Sequence, residues 1–232
     1  MFDRLRKVLS GDAAASAEPP ASNADVARWA ASQKFVCAAH AEGNFQLTDS
    51  LHGFDWQMDS GPSDREYIRG QELRGRADVG ADPDVSIMVI TRPLREALEG
   101  KAYASITDSL QTSVDSSLPE EMRWLSLYEE VVWPGLPGSF RKQFAVIADR
   151  QDLAQRWITA AVVSQLMDVL EGQGAAGSQT PIVLMMARGN VYLRTERCRK
   201  SLPEVVLATR AFLTAGASAR ALRLPAEPSL DG

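Results

Sequence analysis

The residues best suited to do chemistry lie close together, between Trp56 and Arg76, in the stretch WQMDSGPSDREYIRGQELRGR. Arg65, Arg69, Arg74 and Arg76 stand there among Asp64, Glu66, Tyr67 and Glu72. A guanidinium fork grips carboxylates and phosphates in bidentate fashion. Several of these arginines converging beside Glu72 or Tyr67 would bind a small anion, and the glutamate or phenol could move a proton. The charges nearly balance, however. The same residues therefore suit an Arg–Glu network that holds a glycine-shaped turn in place, or a polar protein interface. On an extended strand Glu72, Arg74 and Arg76 share one face and Leu73 takes the other. Gly70 permits a turn or bulge that returns Arg65 or Arg69 toward Glu72. The expectation places the structural network first, with Glu72 accepting a hydrogen bond from an arginine of this segment. A protein interface comes second and a small-ligand site third.

Other reactive residues are sparse. The two histidines, His40 and His52, both fall in the N-terminal strand region. Cys37, Asp49 and Asp55 are near them in sequence, but the spacing fits no zinc motif. Asp55 and Asp59 share a strand face at a separation of about 13 Å, too far apart for an acid–base pair. Glu120 and Glu121 suit the first turn of a helix, and Glu129 and Glu130 read as a solvated face. Cys37 reads as a small buried hydrophobe. Cys198, flanked by Arg197 and Arg199, has neighbours that would lower a thiol pKa, yet no base is placed beside it. The chain contains no GxxxxGK[ST] loop, no GxGxxG after a strand and no G-x-S-x-G elbow. The expectation is no cofactor, no metal and no catalytic residue.

These residues need elements to position them. The 232 residues carry a formal net charge of -5 and 45% hydrophobic residues, enough for a sizeable core. An acidic chain is a poor match for nucleic acid. No stretch approaches the length of a membrane span, and the N-terminus lacks a secretory signal, so cytoplasm is the expected location. Met1 to Ser10 place Phe2, Leu5 and Leu9 on one helical face; alone the segment is too short to be stable and reads first as a frayed start, with docking on a partner or contact with an anionic membrane as the alternative. Residues 1–21 are expected as a flexible arm and linker, 22–133 as an N-terminal α+β region, 139–216 as a C-terminal region and 217–232 as a loose tail.

Period-two alternation predicts a strand through Phe54, Trp56 and Met58, and VSIMVIT predicts a central strand. A helix through Leu94 and Leu98 ends near Gly100. Another starts at Pro119 and carries Trp124, Leu125, Tyr128, Val131 and Val132 up to Pro134. Beyond Gly138, FAVIAD is a strand and Gln151 to Glu171 one long helix. PIVLMMA and VYLRTE then form a hairpin turning at Gly189-Asn190, followed by a helix over Leu202 to Leu213. The order predicts an α+β fold with mixed or largely antiparallel sheets and packed helices. Strands ending in Asp or Thr before a helix hint at two related halves.

Trp56, the GPS at Gly61 to Ser63, Arg65-x-Tyr67-Ile68-x-Gly70, the ELRxRA of Glu72 to Ala77 and the PEEMRWL of Pro119 to Leu125 resemble a family of uncharacterised proteobacterial proteins. This resemblance implies a bacterial origin and runs from about Trp29 to Phe212. The stretch FAVIADRQDLAQRWITAAVVSQLMDVL, with PIVLMMARGNVYL, more weakly resembles the closing part of another family of unknown function. Neither resemblance supplies catalytic residues. The resulting expectation is a non-enzymatic interaction or scaffold protein with a protein partner or self-association. The alternative is an enzyme or binding protein for a small anion, which requires two or more of the arginines to converge with Glu72 in a pocket.

Overall fold

The computed structural model describes residues 20–49, 53–109, 119–174, 179–198 and 200–222. The N-terminal segment Met1 to Ser10, His52 and the end of the tail lie outside the described residues.

The first described helix, α1 (Asn23–Ser32), starts at Ser22, whose hydroxyl accepts the Asp25 N–H while the Asp25 carboxylate accepts the Ser22 N–H. Four strands follow as antiparallel neighbours: β1 (Val36–Ala39), β2 (Phe45–Asp49), β3 (Asp55–Pro62) and β4 (Gln71–Asp78). Then come β5 (Ile87–Thr91), α2 (Arg92–Ser109), α3 (Glu120–Leu127), α4 (Gly138–Gln143) and β6 (Phe144–Ala148). The chain closes with α5 (Gln151–Trp157), α6 (Ala160–Gly172), β7 (Ile182–Ala187), β8 (Asn190–Glu196) and α7 (Leu202–Arg220). All eight strands form one antiparallel sheet in the order β1-β2-β3-β4-β8-β7-β5-β6. The fold is thus α+β with an antiparallel sheet and packed helices.

The loop at Pro134 to Gly138 does not divide this sheet. β4 pairs with β8, and β5 lies between β7 and β6, so the regions before and after the loop interleave. Alternation along the strands sends Trp56, Met58, Leu73, Leu184 and Leu193 to a large core shared with α1, α5, α6 and α7. Met88, Ile90, Ile147, Val183 and Met185 point the other way, into a smaller core under α2 and α3. On that second face β2 to β4 stay polar: Gln57 and Arg76 are exposed, and Gln46, Asp59 and Arg74 half-buried.

Several boundaries differ from those the sequence predicts. The helix expected over Gln151 to Glu171 breaks after Trp157. The Thr159 hydroxyl caps the Val162 N–H of α6, and Ser218 donates to the Trp157 carbonyl at 2.6 Å. The helix expected to reach Pro134 stops at Leu127. β-Branched Val131 lies extended and donates to the Val146 carbonyl at 2.8 Å, so residues 129–132 cover the outer edge of β6. The β7–β8 turn is Arg188-Gly189, not Gly189-Asn190. Both residues have positive φ, 50° and 76°, as a type I′ turn requires. Helix α2 runs past Gly100 to Ser109. Helix α7 runs past Ala217 to Arg220, with Ala219 buried, so the tail begins later than the sequence suggests.

Candidate functional site

Strand β4 alternates as expected. Leu73 enters the large core, and Glu72, Arg74 and Arg76 take the opposite face. The partner of Glu72 is the surprise. Its carboxylate, fully buried, accepts from Arg194 of β8 at 2.9 Å. Arg74 Nε stands 3.9 Å from the other oxygen, an ion contact without a hydrogen bond. The arginine that matters most therefore lies outside the 65–76 segment.

Arg65 does turn back, but to a different acid. Its Nε lies 3.3 Å from Glu121 Oε1, and the Tyr67 hydroxyl donates to the same oxygen at 2.9 Å. Glu121, expected as a dipole residue at a helix start, is buried. Asp64 closes the cluster, taking Arg194 at 3.1 Å and Arg65 at 3.2 Å. The loop 64–68, strands β4 and β8 and the first turn of α3 are thereby tied together through two buried carboxylates and their partly exposed partners.

The remaining candidates lie elsewhere. Trp56 is on the opposite face, its ring centroid 5.1 Å from Phe35 and 6.2 Å from Phe212, so it belongs to the core. Arg69 is exposed, and its backbone N–H donates to Glu196 at 3.0 Å. Arg76 is exposed and donates to Asn190 Oδ1 at 3.3 Å. Among the described residues, the arginines of 65–76 do not converge with Glu72 around a pocket.

The electrostatics follow from burial. Burial pushes the Glu72 carboxyl above its ordinary value, against the pull of Arg194, the Ser63 hydroxyl and Arg74. For Asp64 burial acts upward too, but the Arg194 hydrogen bond and the Arg65 charge outweigh it and hold the carboxyl low. Burial, with the adjacent Glu121 carboxylate, pushes the Tyr67 phenol far up, so it serves as a hydrogen-bond donor. Arg194 stays firmly charged: burial opposes this, but Glu72, Asp64 and Glu121 together prevail. Such a cluster fixes geometry, while the second carboxylate oxygens of Glu72 and Glu121 are buried without a hydrogen-bond partner among the described residues.

The cysteines do not have lowered pKa values. Burial raises both Cys37 and Cys198. The Cys198 thiol sits 3.7 Å from Thr180 Oγ1. Arg197 turns away from it into the interior, over the Phe45 ring at 5.4 Å and onto the Lys200 carbonyl at 3.1 Å. Among the described residues no three His, Cys, Asp or Glu side chains gather to hold a metal, and no helix is long and apolar enough to cross a membrane.

Arg194 was not singled out from the sequence, and Glu121 was read there only as a residue of a helix start. Alternation in VYLRTE puts Tyr192, Arg194 and Glu196 on one face, a usable signal only once β8 is known to pair with β4. No family model, no curated protein and no solved structure matches this chain.

Proposed function

We propose that this chain is a non-catalytic interaction module that binds an extended segment of a partner protein along the free edge of β1. The observation that carries this reading is the contrast between the two sheet edges. The β6 edge is covered by residues 129–132. The β1 edge is bare among the described residues. His40 donates to the Asn44 carbonyl, so by antiparallel alternation Ala38 and Val36 bond to β2 while Cys37 and Ala39 turn their backbone groups outward. The strand is VCAA, without charge, proline or bulge to repel a partner, and Val36 is 65% exposed. Unpaired main-chain donors and acceptors are matched by another strand. Two four-residue edges pairing from two copies would bury far less than the roughly 1,200 Å² of a stable interface.

Affinity capture from native cells, run side by side with the parent chain and Ala39→Pro, tests this. The substitution removes an outward N–H and leaves the β1–β2 ladder intact. A partner whose recovery falls at least tenfold with Ala39→Pro, at unchanged thermal stability, supports the reading. Equal recovery, or a concentration-dependent homodimer in sedimentation, overturns it.

A further inference from the structure

We infer that Arg123 forms a binding subsite for a small organic monocarboxylate, in a cavity that the 65–76 arginines do not themselves complete. A cavity of about 720 Å³ opens between loop 64–67, helix α2 and the start of α3. This is the size range of small-molecule sites. Its polar wall comprises Asp64, Arg65, Glu66, Lys101, Glu120 and Arg123.

The pairing within that wall is uneven. Asp64 is held by Arg65 and Arg194, Glu66 by Lys101 at 3.2 Å, and Glu120 by Arg188 at 2.8 Å. Every acid of the wall thus has a basic partner. Arg123 has none among the described residues, and its Nε is buried without a hydrogen bond. A half-buried arginine without an acid partner gains charge balance from an incoming anion. Its planar fork matches the two oxygens of a carboxylate.

The surroundings select among anions. The nearby acids Glu66 and Glu120 disfavour a doubly charged phosphate, whereas one negative charge balances Arg123. Leu98, Pro119 and Met122 supply apolar wall for the body of such a ligand. The site is independent of the β1 edge, which lies at the far end of the sheet order from β5 and its helix α2.

The test is a titration of the full chain, carrying arginine Nε labelled with nitrogen-15, with sodium hexanoate and separately with inorganic phosphate. The expected result is a saturable shift of the Arg123 Nε–H signal with hexanoate. Affinity should fall at least tenfold in Arg123→Gln and recover partly in Arg123→Lys. Both variants are checked for a native backbone spectrum, and the parent titration stands alone if either misfolds. No saturable shift with hexanoate, a shift with phosphate only, or undiminished binding by a folded Arg123→Gln overturns the inference.

Discussion

Glu72 and Arg194 meet diagonally across the β4–β8 ladder, with 2.9 Å between carboxylate and guanidinium. The residues directly opposite are like-charged: Arg74 faces Arg194, and Glu72 faces Glu196. Direct like-charge pairs destabilise a sheet, so the diagonal contact resolves a conflict built into the register. Arg194 also serves Asp64 and lies 3.9 Å from Glu121, which makes it the common cation of the cluster.

Removing that cation should therefore cost more than removing any one acid. Arg194→Met should destabilise the fold by about 3–5 kcal/mol, because it strips the buried Glu72 carboxylate of its hydrogen-bonded cation and removes the shared partner of Asp64 and Glu121. Glu72→Gln should cost less, since burial already pushes that carboxyl toward its neutral form. Urea unfolding of both variants checks the order. A Glu72→Gln penalty equal to or above that of Arg194→Met would contradict it.

Glu130 gives the fold a distinct acid dependence. Burial would raise its carboxyl, but hydrogen bonds from Arg92, at 2.5 Å, and from Arg95 hold it below the ordinary 4.5. A group with a lowered folded pKa stabilises fully above its unfolded value, and that contribution is lost as pH falls through the folded value. Glu130→Gln should lose about 1 kcal/mol near neutral pH, given partial exposure. The gap to the parent should close in the acid range below the ordinary value. A gap that stays constant down to about pH 3 would contradict the pairing.

Trp157 ends α5 fully buried, with its indole N–H donating to the Ala215 carbonyl of α7 at 2.9 Å. Trp157→Ala should cost about 3–5 kcal/mol through the cavity it leaves. Trp157→Phe keeps much of the volume and should lose about 1–2 kcal/mol, mainly through the lost indole hydrogen bond. Thermal unfolding that ranks the two equally would contradict this division.

Gly75 lets the sheet and α7 approach closely. A Cβ at that position would meet the Phe212 ring at 2.8 Å. Gly75→Ala should cost about 1–3 kcal/mol by overpacking. Gly75→Ala with Phe212→Leu should recover part of that loss in a double-mutant cycle, and strict additivity would contradict the contact.

Much of the sheet was legible because alternation is a local signal. Phe54, Trp56 and Met58 were placed on one strand face, Leu73 in the core, and Glu72, Arg74 and Arg76 on the face opposite Leu73, from period two alone, although Trp56 was grouped with the candidate network rather than the core. Partner identity was not legible. Whether Glu72 meets Arg65 or Arg194 depends on β4 pairing with β8, a contact between residues 122 positions apart. The helix break at Ile158 was hidden for a similar reason. The apolar stripe continues through it, and the groups that end α5 come from Ser218 in distant α7. Val131 and Val132 continued a helical period, but an open edge of β6 recruited their segment into extended structure.

The central claim is that the β1 edge takes up a strand of a partner, and register-resolved photo-crosslinking tests it most directly. A photoreactive residue is placed at Val36 or at Ala38, exposed positions on one face of the edge strand. The adducts formed in native cells are then mapped by mass spectrometry. Pairing predicts that both probes label a single extended stretch of one partner, at sites two residues apart, and that Ala39→Pro abolishes both adducts. Adducts scattered over unrelated surfaces, or adducts that persist in a folded Ala39→Pro chain, would contradict the account.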